Sequence, residues 1–168
     1  PRPVRTAIGI IGIVLNTIFW TTPLFILTAI KLLTPSVEGR TRLAAISAGF
    51  AQNWIGVNNW MIANVQRVEW VITGMEGLST QQWYLVLSNH LSGLDIPVLQ
   101  KVYHRRIPFM RFFLKKNLIW VPVLGQAWWA LDFPFMSRHS AEAVARNPAL
   151  RMQDVEATRK ACEKFKLL

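Results

Sequence analysis

The chain has 168 residues, the length of about one domain. Apolar residues make up 52% of it and charged residues 17%, and eight tryptophans are present, which is not typical of an ordinary soluble domain. The 19 Lys and Arg against 9 Asp and Glu give a net charge of +10. This charge favours nucleic acid, an anionic lipid surface, or phosphorylated substrates and acidic carriers as partners. The single cysteine, Cys162, excludes an internal disulfide, and the three histidines lack zinc-ligand spacing, so we expect no metal.

Residues 7–30 form an uncharged stretch of 24 residues with basic residues on both sides. That length is enough to cross the hydrocarbon core of a membrane. Pro23 would kink such a helix without forbidding it. The pattern therefore predicts a membrane anchor, with a buried helix of a large soluble domain as the alternative.

Residues 43–65 form a second uncharged stretch that carries five side-chain amides: Gln52, Asn53, Asn58, Asn59 and Asn64. This pattern predicts an amphipathic helix that lies in the membrane interface. If both stretches spanned as a hairpin, the basic connector 31–42 would face away from the cytosol, contrary to the positive-inside rule. We therefore interpret residues 1–66 as membrane-anchoring and interfacial helices and leave the orientation of the first helix open.

From residue 67 onward, strand-like and helix-like patterns alternate. Four strands are predicted, at residues 68–73, 83–88, 110–114 and 133–137. The uniformly apolar second strand is expected to be central and buried on both faces, and Pro134 places the fourth strand at an edge or a bulge. Helices are predicted at residues 94–104, at 118–131 with a break near Pro122 and Gly125, and at 152–165 on the surface. The alternation predicts an α/β fold class.

A histidine and an aspartate five residues apart follow the apolar segment 83–88. A histidine held by a carboxylate can take a proton from a hydroxyl near neutral pH. Five residues turn a helix by about 500°, so His90 and Asp95 meet only if His90 precedes a helix and Asp95 lies in its first turn. Ser92 as the N-cap would supply that start. The spacing leaves two roles open for Asp95, a catalytic partner and a capping-box acid.

The chain between Asp95 and Asp132 contains basic residues and no acidic one: Lys101, Arg105, Arg106, Arg111, Lys115 and Lys116. A solvated basic face is the usual explanation of such a run. Several of these charges lie at the ends of predicted strands, and Arg138 follows the strand at 133–137, as in a rim that binds phosphate. Interleaved Arg and Phe also suit single-stranded nucleic acid, which the membrane anchor makes the weaker alternative.

Three blocks of the sequence resemble the glycerolipid acyltransferase superfamily, the superfamily of lysophosphatidic acid acyltransferases. Residues 89–95 resemble its NHxxxxD motif. Residues 111–125 look like its second block, and residues 133–138 are similar to its third block, in which an arginine follows a short apolar strand. The details are most similar to the YihG-type acyltransferases of bacterial inner membranes. The resemblance covers about residues 68–168.

The resemblance implies an O-acyltransferase at the cytoplasmic face of a bacterial inner membrane. Such an enzyme moves a fatty acyl group from acyl-CoA or acyl carrier protein to lysophosphatidate and makes phosphatidate. His90 would be the general base and Asp95 its orienting partner. Substrate contacts are implied for Asn89, Ser92, Arg111, Lys115, Lys116 and Arg138. No metal and no cofactor besides the acyl donor are expected, and the expected partners are the bilayer, the lysophospholipid acceptor and the acyl donor rather than nucleic acid.

The fourth block of the superfamily, Glu-Gly-x-Arg, does not occur in the 168 residues. The resemblance therefore predicts that residues 67–168 are the N-terminal part of a truncated acyltransferase α/β domain.

The rival hypothesis is a non-catalytic basic membrane protein, or a fragment, that binds anionic lipid, nucleic acid or a partner protein. It predicts binding that weakens steeply with salt and does not depend on His90.

Overall fold

The computed structural model of the chain describes residues 2–65, 68–136 and 139–165, and this part is mostly helical. The helices are α1 (Arg2–Leu33), α2 (Val37–Asn64), α3 (Asp95–Tyr103), a 3₁₀ helix (Lys116–Trp120), α4 (Leu124–Ala130), α5 (Ala141–Arg146) and α6 (Ala149–Phe165). The strands are β1 (Leu114–Lys115) and β2 (Phe135–Met136). Backbone contacts divide the chain into unit 1, which is Pro1–Pro23 with Ala48–Met110, and unit 2, which is Leu24–Ser47 with Arg111–Leu168.

Helix α1 contains the predicted anchor and continues through Pro23. Its segment Pro3–Leu33 is long and apolar enough to cross a membrane, and only 17% of its most apolar window is buried. A core helix of a soluble protein would have this window buried. The hydroxyls of Thr17, Thr22 and Thr28 donate to carbonyls four residues earlier, so these polar groups are satisfied within the helix. The structure is therefore consistent with a membrane-associated α1.

Helix α2 begins at Val37, so the predicted connector 31–42 is reduced to a short turn. Within unit 1, part of its polar face packs on α1. The Nδ2 atom of Asn16 donates to Asn58 Oδ1 at 2.8 Å, and Trp54 Nε1 donates to Thr17 Oγ1 at 3.2 Å. These side chains thus stabilise the pairing of two helices. A position of α2 in the membrane interface stays a prediction.

The predictions of strands at residues 68–73 and 83–88 are wrong, because both segments are irregular. Leu85 and Leu87 were expected to be buried on both faces of a sheet, yet they are 81% and 84% exposed. An apolar run becomes a strand only when a neighbour exchanges backbone hydrogen bonds with it. No described segment pairs with either run. The described part of the chain therefore does not show the predicted α/β core.

The predicted strand at 133–137 is shortened to β2, and the one at 110–114 is wrong except at Leu114, which begins β1. The two strands pair in parallel in unit 2. Leu114 aligns with Phe135, and the Leu114 N–H donates to the Pro134 carbonyl at 2.9 Å. Pro134 directly precedes β2, a position where its missing N–H removes no ladder bond. Ser137, the predicted end of this strand, lies outside the described residues.

The three predicted helices after residue 90 are confirmed, with small shifts of their ends. The predicted break near Pro122 separates the 3₁₀ helix from α4, and residues 152–165 belong to α6. Apolar side chains of α4 and its surroundings form the core of unit 2: Ala127, Ala130, Leu131, Phe133 and Met136.

Candidate active site

The loop that leads into α3 brings His90 and Asp95 together. Asp95 is the first residue of α3, and its Oδ2 atom lies 3.1 Å from His90 Nδ1. The same oxygen accepts the backbone N–H groups of Leu91 at 2.6 Å and Ser92 at 2.8 Å. The Ser92 hydroxyl lies 3.3 Å from the other carboxylate oxygen. One carboxylate therefore fixes both the loop and the histidine ring.

The start of α3 differs from the predicted one in its cap. The N-cap is Leu94, which makes no side-chain capping bond, so the prediction of Ser92 as N-cap is wrong. The Ser92 hydroxyl instead accepts the Leu94 N–H at 3.2 Å within the loop. The predicted arrangement is confirmed, since His90 precedes the helix and Asp95 lies in its first turn. Asp95 accepts both backbone N–H groups and contacts the His90 ring, a geometry that is compatible with a catalytic partner.

The hydrogen bonds to Asp95 keep its carboxylate ionised. The Ser92 N–H makes the largest contribution to lowering the pKa of Asp95, with smaller contributions from Leu91 and His90 and partial opposition from burial. An ionised carboxylate accepts the proton of His90 Nδ1, so the lone pair of the neutral ring is on Nε2. The His90 side chain is 63% exposed, so a substrate can reach the ring. The pair can therefore act as a general base.

The basic residues of the second sequence block lie in unit 2. Lys115 is in β1 and Lys116 begins the 3₁₀ helix, and both side chains are exposed. Arg111 is partly buried, and its Nε donates to the Leu131 carbonyl at 2.9 Å. Burial lowers the pKa of Arg111, and the nearby Asp132 carboxylate opposes that effect. Arg111 thus joins two segments of unit 2, whereas the two lysines are open to an anion.

The predicted site residues are distributed over both units. His90 and Ser92 both contact Asp95 in unit 1, and the exposed Asn89 precedes them in the chain. Lys115 and Lys116 are neighbours in unit 2. The predicted site residue Arg138 lies outside the described residues. In the described ranges, no group of three His, Cys, Asp or Glu side chains could hold a metal ion.

Two polar side-chain pairs in unit 2 were not predicted from the sequence. Lys31, near the end of α1, lies 2.8 Å from Asp132 and also donates to the Ala130 carbonyl. His139 Nδ1 lies 2.9 Å from Asp154 Oδ1, and the His139 N–H donates to the same carboxylate. The partners are 101 and 15 residues apart in the chain. No local pattern could have found these pairs, because the tertiary fold brings them together.

One comparison with known proteins found a match over a range that contains His90 and Asp95. The family model described as Acyltransferase matches residues 69–163, more than half of the 168-residue chain. The matched range includes the loop, α3 and both lysines. No curated protein and no solved structure gave a significant match. The chain therefore belongs to the acyltransferase family, the family of the lysophosphatidic acid acyltransferases.

Proposed function

We propose that the chain is a membrane-bound O-acyltransferase that makes phosphatidate for phospholipid synthesis. It would transfer a fatty acyl group from acyl-CoA or acyl carrier protein to lysophosphatidate, as a 1-acylglycerol-3-phosphate O-acyltransferase does. The observation that carries this proposal is the His90–Asp95 pair, with 3.1 Å between the ring and the carboxylate, inside the range matched by the acyltransferase family. The finer placement among the YihG-type enzymes rests on the sequence blocks alone.

The geometry supports direct transfer between the two substrates. His90 Nε2 takes the proton of the acceptor hydroxyl while the oxygen attacks the thioester carbonyl. The tetrahedral intermediate collapses when the carbon–sulfur bond breaks, and the imidazolium returns the proton to the departing thiolate. Asp95 holds the ring in the required tautomer and stabilises the imidazolium. An ester and a free thiol result, and no covalent enzyme intermediate is needed.

The substrate contacts are proposed from charge and exposure. Lys115 and Lys116 present two ammonium groups that make no ion pair with any described residue, which suits a phosphate group. Asn89 and Ser92 flank His90 and would contact the acceptor next to its hydroxyl. Arg111, whose Nε donates to the Leu131 carbonyl, is proposed as a substrate contact from the sequence block. Arg138 is proposed as a further phosphate contact from the sequence block alone.

A membrane location suits this reaction because the acceptor and the product are lipids. Helix α1 has the length and the exposed apolar surface to hold the enzyme at a bilayer. We place it in a bacterial inner membrane with the active site at the cytoplasmic face, where acyl-CoA and acyl carrier protein are found. No resident cofactor is proposed besides the acyl donor.

The proposal is tested by product analysis with the full chain in phosphatidylcholine vesicles. Labelled palmitoyl-CoA is supplied with lysophosphatidate, glycerol 3-phosphate or lysophosphatidylcholine in parallel. We expect labelled phosphatidate from lysophosphatidate and little ester from the choline lipid, because its phosphate is capped. In a second series, palmitoyl acyl carrier protein replaces palmitoyl-CoA as the acyl donor.

Two outcomes would change the assignment. Faster esterification of lysophosphatidylcholine would overturn the acceptor while leaving an acyltransferase. No ester from any donor and acceptor, together with salt-sensitive lipid binding that His90→Ala does not alter, would favour the non-catalytic membrane protein.

A further inference from the structure

Unit 1 contains an open groove of about 370 Å³ that involves none of the residues proposed for acyl transfer. Trp20 of α1 lines one part of it, and Val57 and Trp60 of α2 line another. Arg105, in the turn after α3, supplies its positive charge. The groove therefore combines a largely apolar wall with one cation.

The charge of Arg105 is not neutralised within the described residues. Its Nη2 atom donates to the side-chain oxygen of Asn53 at 2.7 Å, and this partner is a neutral amide. The Arg105 side chain is exposed, so its other N–H groups are available to a ligand. An anion is the ligand that would complete this site.

The backbone at Arg105 is held in an unfavourable conformation. Its φ angle is +57°, in the left-handed region that residues other than glycine rarely adopt. The preceding His104 is fixed because its Nε2 donates to the Gln52 carbonyl at 2.8 Å. Burial lowers the pKa of His104, which favours the neutral ring. A methyl group at Gly56 would lie 3.2 Å from His104 Cε1, so the ring packs directly on the backbone of α2.

A strained residue held by its surroundings is often kept for a function. Here the strain fixes a cation at the edge of an apolar groove. Two tryptophans line the same groove, and tryptophan is enriched where membranes meet water. Trp20 belongs to α1, whose apolar surface is largely exposed, so a bilayer around α1 would meet the groove.

We propose that this groove binds one anionic phospholipid of the bilayer, with the lipid phosphate on Arg105 and the first acyl carbons against Trp20, Val57 and Trp60. The proposal rests on the membrane placement of α1 and does not require acyl transfer. The bound lipid would fix α2 and the turn after α3 at the depth of the headgroups.

The test uses the full chain purified in dodecyl maltoside and mixed with equal amounts of phosphatidylglycerol and phosphatidylcholine. Native mass spectrometry measures which lipid stays bound. We expect one phosphatidylglycerol per chain, and Arg105→Gln should reduce its retention about tenfold, since a hydrogen bond to a charged group is lost. Arg106→Gln removes the same charge from the exposed neighbour, which does not line the groove, and it should retain the lipid.

A second variant separates binding from folding. Arg105→Gly removes the cation, and glycine adopts a positive φ angle without strain. The variant should therefore melt no lower than the wild type and should still lose the bound lipid. Trp60→Ala, at a side chain that is 61% exposed, should also weaken retention without unfolding α2.

Three results would overturn the proposal. Arg105→Gln and Arg106→Gln could lose bound phosphatidylglycerol equally, or Arg105→Gly could retain all of it. The wild type could also retain phosphatidylglycerol and phosphatidylcholine equally. Failure of the full chain to float with phosphatidylcholine vesicles would overturn the membrane placement on which the proposal rests. A failed acyltransferase assay with intact lipid retention would contradict only the proposed enzyme activity.

Discussion

Asp95 shows how one side chain can serve both the local structure and the proposed chemistry. Its Oδ2 atom accepts the backbone N–H groups of Leu91 and Ser92, and these bonds aim the carboxylate at His90. The spacing of His90 and Asp95 was enough to predict their meeting, because a loop followed by a first helical turn has few solutions. The sequence could not show which N–H groups the carboxylate would accept, since these depend on the exact path of the loop.

Asp95 should make the stability of the protein fall at acid pH. Its folded-state pKa lies below the ordinary value of 3.8, chiefly because of the Ser92 N–H. Its contribution to stability is therefore present above that ordinary value and is lost as pH falls through the lowered pKa. We expect Asp95→Asn to melt below the wild type at neutral pH and to approach it at strongly acid pH. A difference in melting temperature that is constant with pH would contradict this explanation.

Val123 is a second residue whose backbone carries strain. Its φ angle is +65°, and the flanking Leu124 N–H donates to the Pro122 carbonyl at 2.7 Å, which closes a tight turn. Such a conformation costs a β-branched residue roughly 1–3 kcal/mol. Val123→Gly should therefore leave the free energy of unfolding unchanged or raise it by about 1 kcal/mol.

The neighbouring Val121 provides the control for that variant, since its φ angle is an ordinary −66°. Val121→Gly should lower the free energy of unfolding by about 1 kcal/mol, because glycine adds flexibility to the unfolded chain. Denaturant titration of both variants gives the comparison. An equal decrease in the free energy of unfolding for both variants would show that Val123 carries no strain.

At the scale of elements, helices were predictable and strands were not. The boundaries of α3, α4 and α6 follow from local spacing and breakers such as Pro122. The runs at residues 68–73 and 83–88 have the composition of strands, but a strand also requires a partner from elsewhere in the chain. β1 and β2 pair only briefly, through Leu114 and Lys115 with Phe135 and Met136.

The junction between the 3₁₀ helix and α4 depends on the absence of a side chain at Gly125. A methyl group there would overlap the backbone carbonyls of Leu118 and Ile119, which cannot move without disturbing the 3₁₀ helix. Gly125→Ala should lower the free energy of unfolding by roughly 1–3 kcal/mol. Gly49→Ala is the matched control, because it lies in α2 with open space around it and should be neutral or stabilising. Similar effects of the two substitutions on the denaturation midpoint would refute this role of Gly125.

At the scale of the whole molecule, the length and apolar character of helix α1 were predictable from the sequence. Its partial pairing with α2 was not, since Asn16, Thr17 and Trp54 find each other only after the two helices align. Family membership likewise came from short blocks that keep their order, whereas the units and the groove at Arg105 are products of tertiary contacts. The sequence therefore identified the family better than the architecture.

A charge on the exposed face of α1 should weaken membrane insertion. Leu15 is 61% exposed on the apolar surface of α1, and a charged side chain is costly where it contacts the hydrocarbon of a membrane. We expect Leu15→Arg to reduce the fraction of the protein that stays with membranes after an alkaline carbonate wash. Val155→Arg, on an exposed position of α6, should leave this fraction unchanged. Equal membrane retention of both variants would argue against α1 as the anchor.

The central claim is that His90 is the base in acyl transfer. The chain contains a matched control, because His139 also pairs with an aspartate, Asp154, through its Nδ1 atom. Turnover of lysophosphatidate with palmitoyl-CoA is measured for His90→Ala and His139→Ala in the same vesicles. We expect His90→Ala to lose at least about a hundredfold in kcat, the usual size of general-base catalysis, and His139→Ala to retain most of its activity. Wild-type turnover by His90→Ala, or equal losses in the two variants, would contradict this claim.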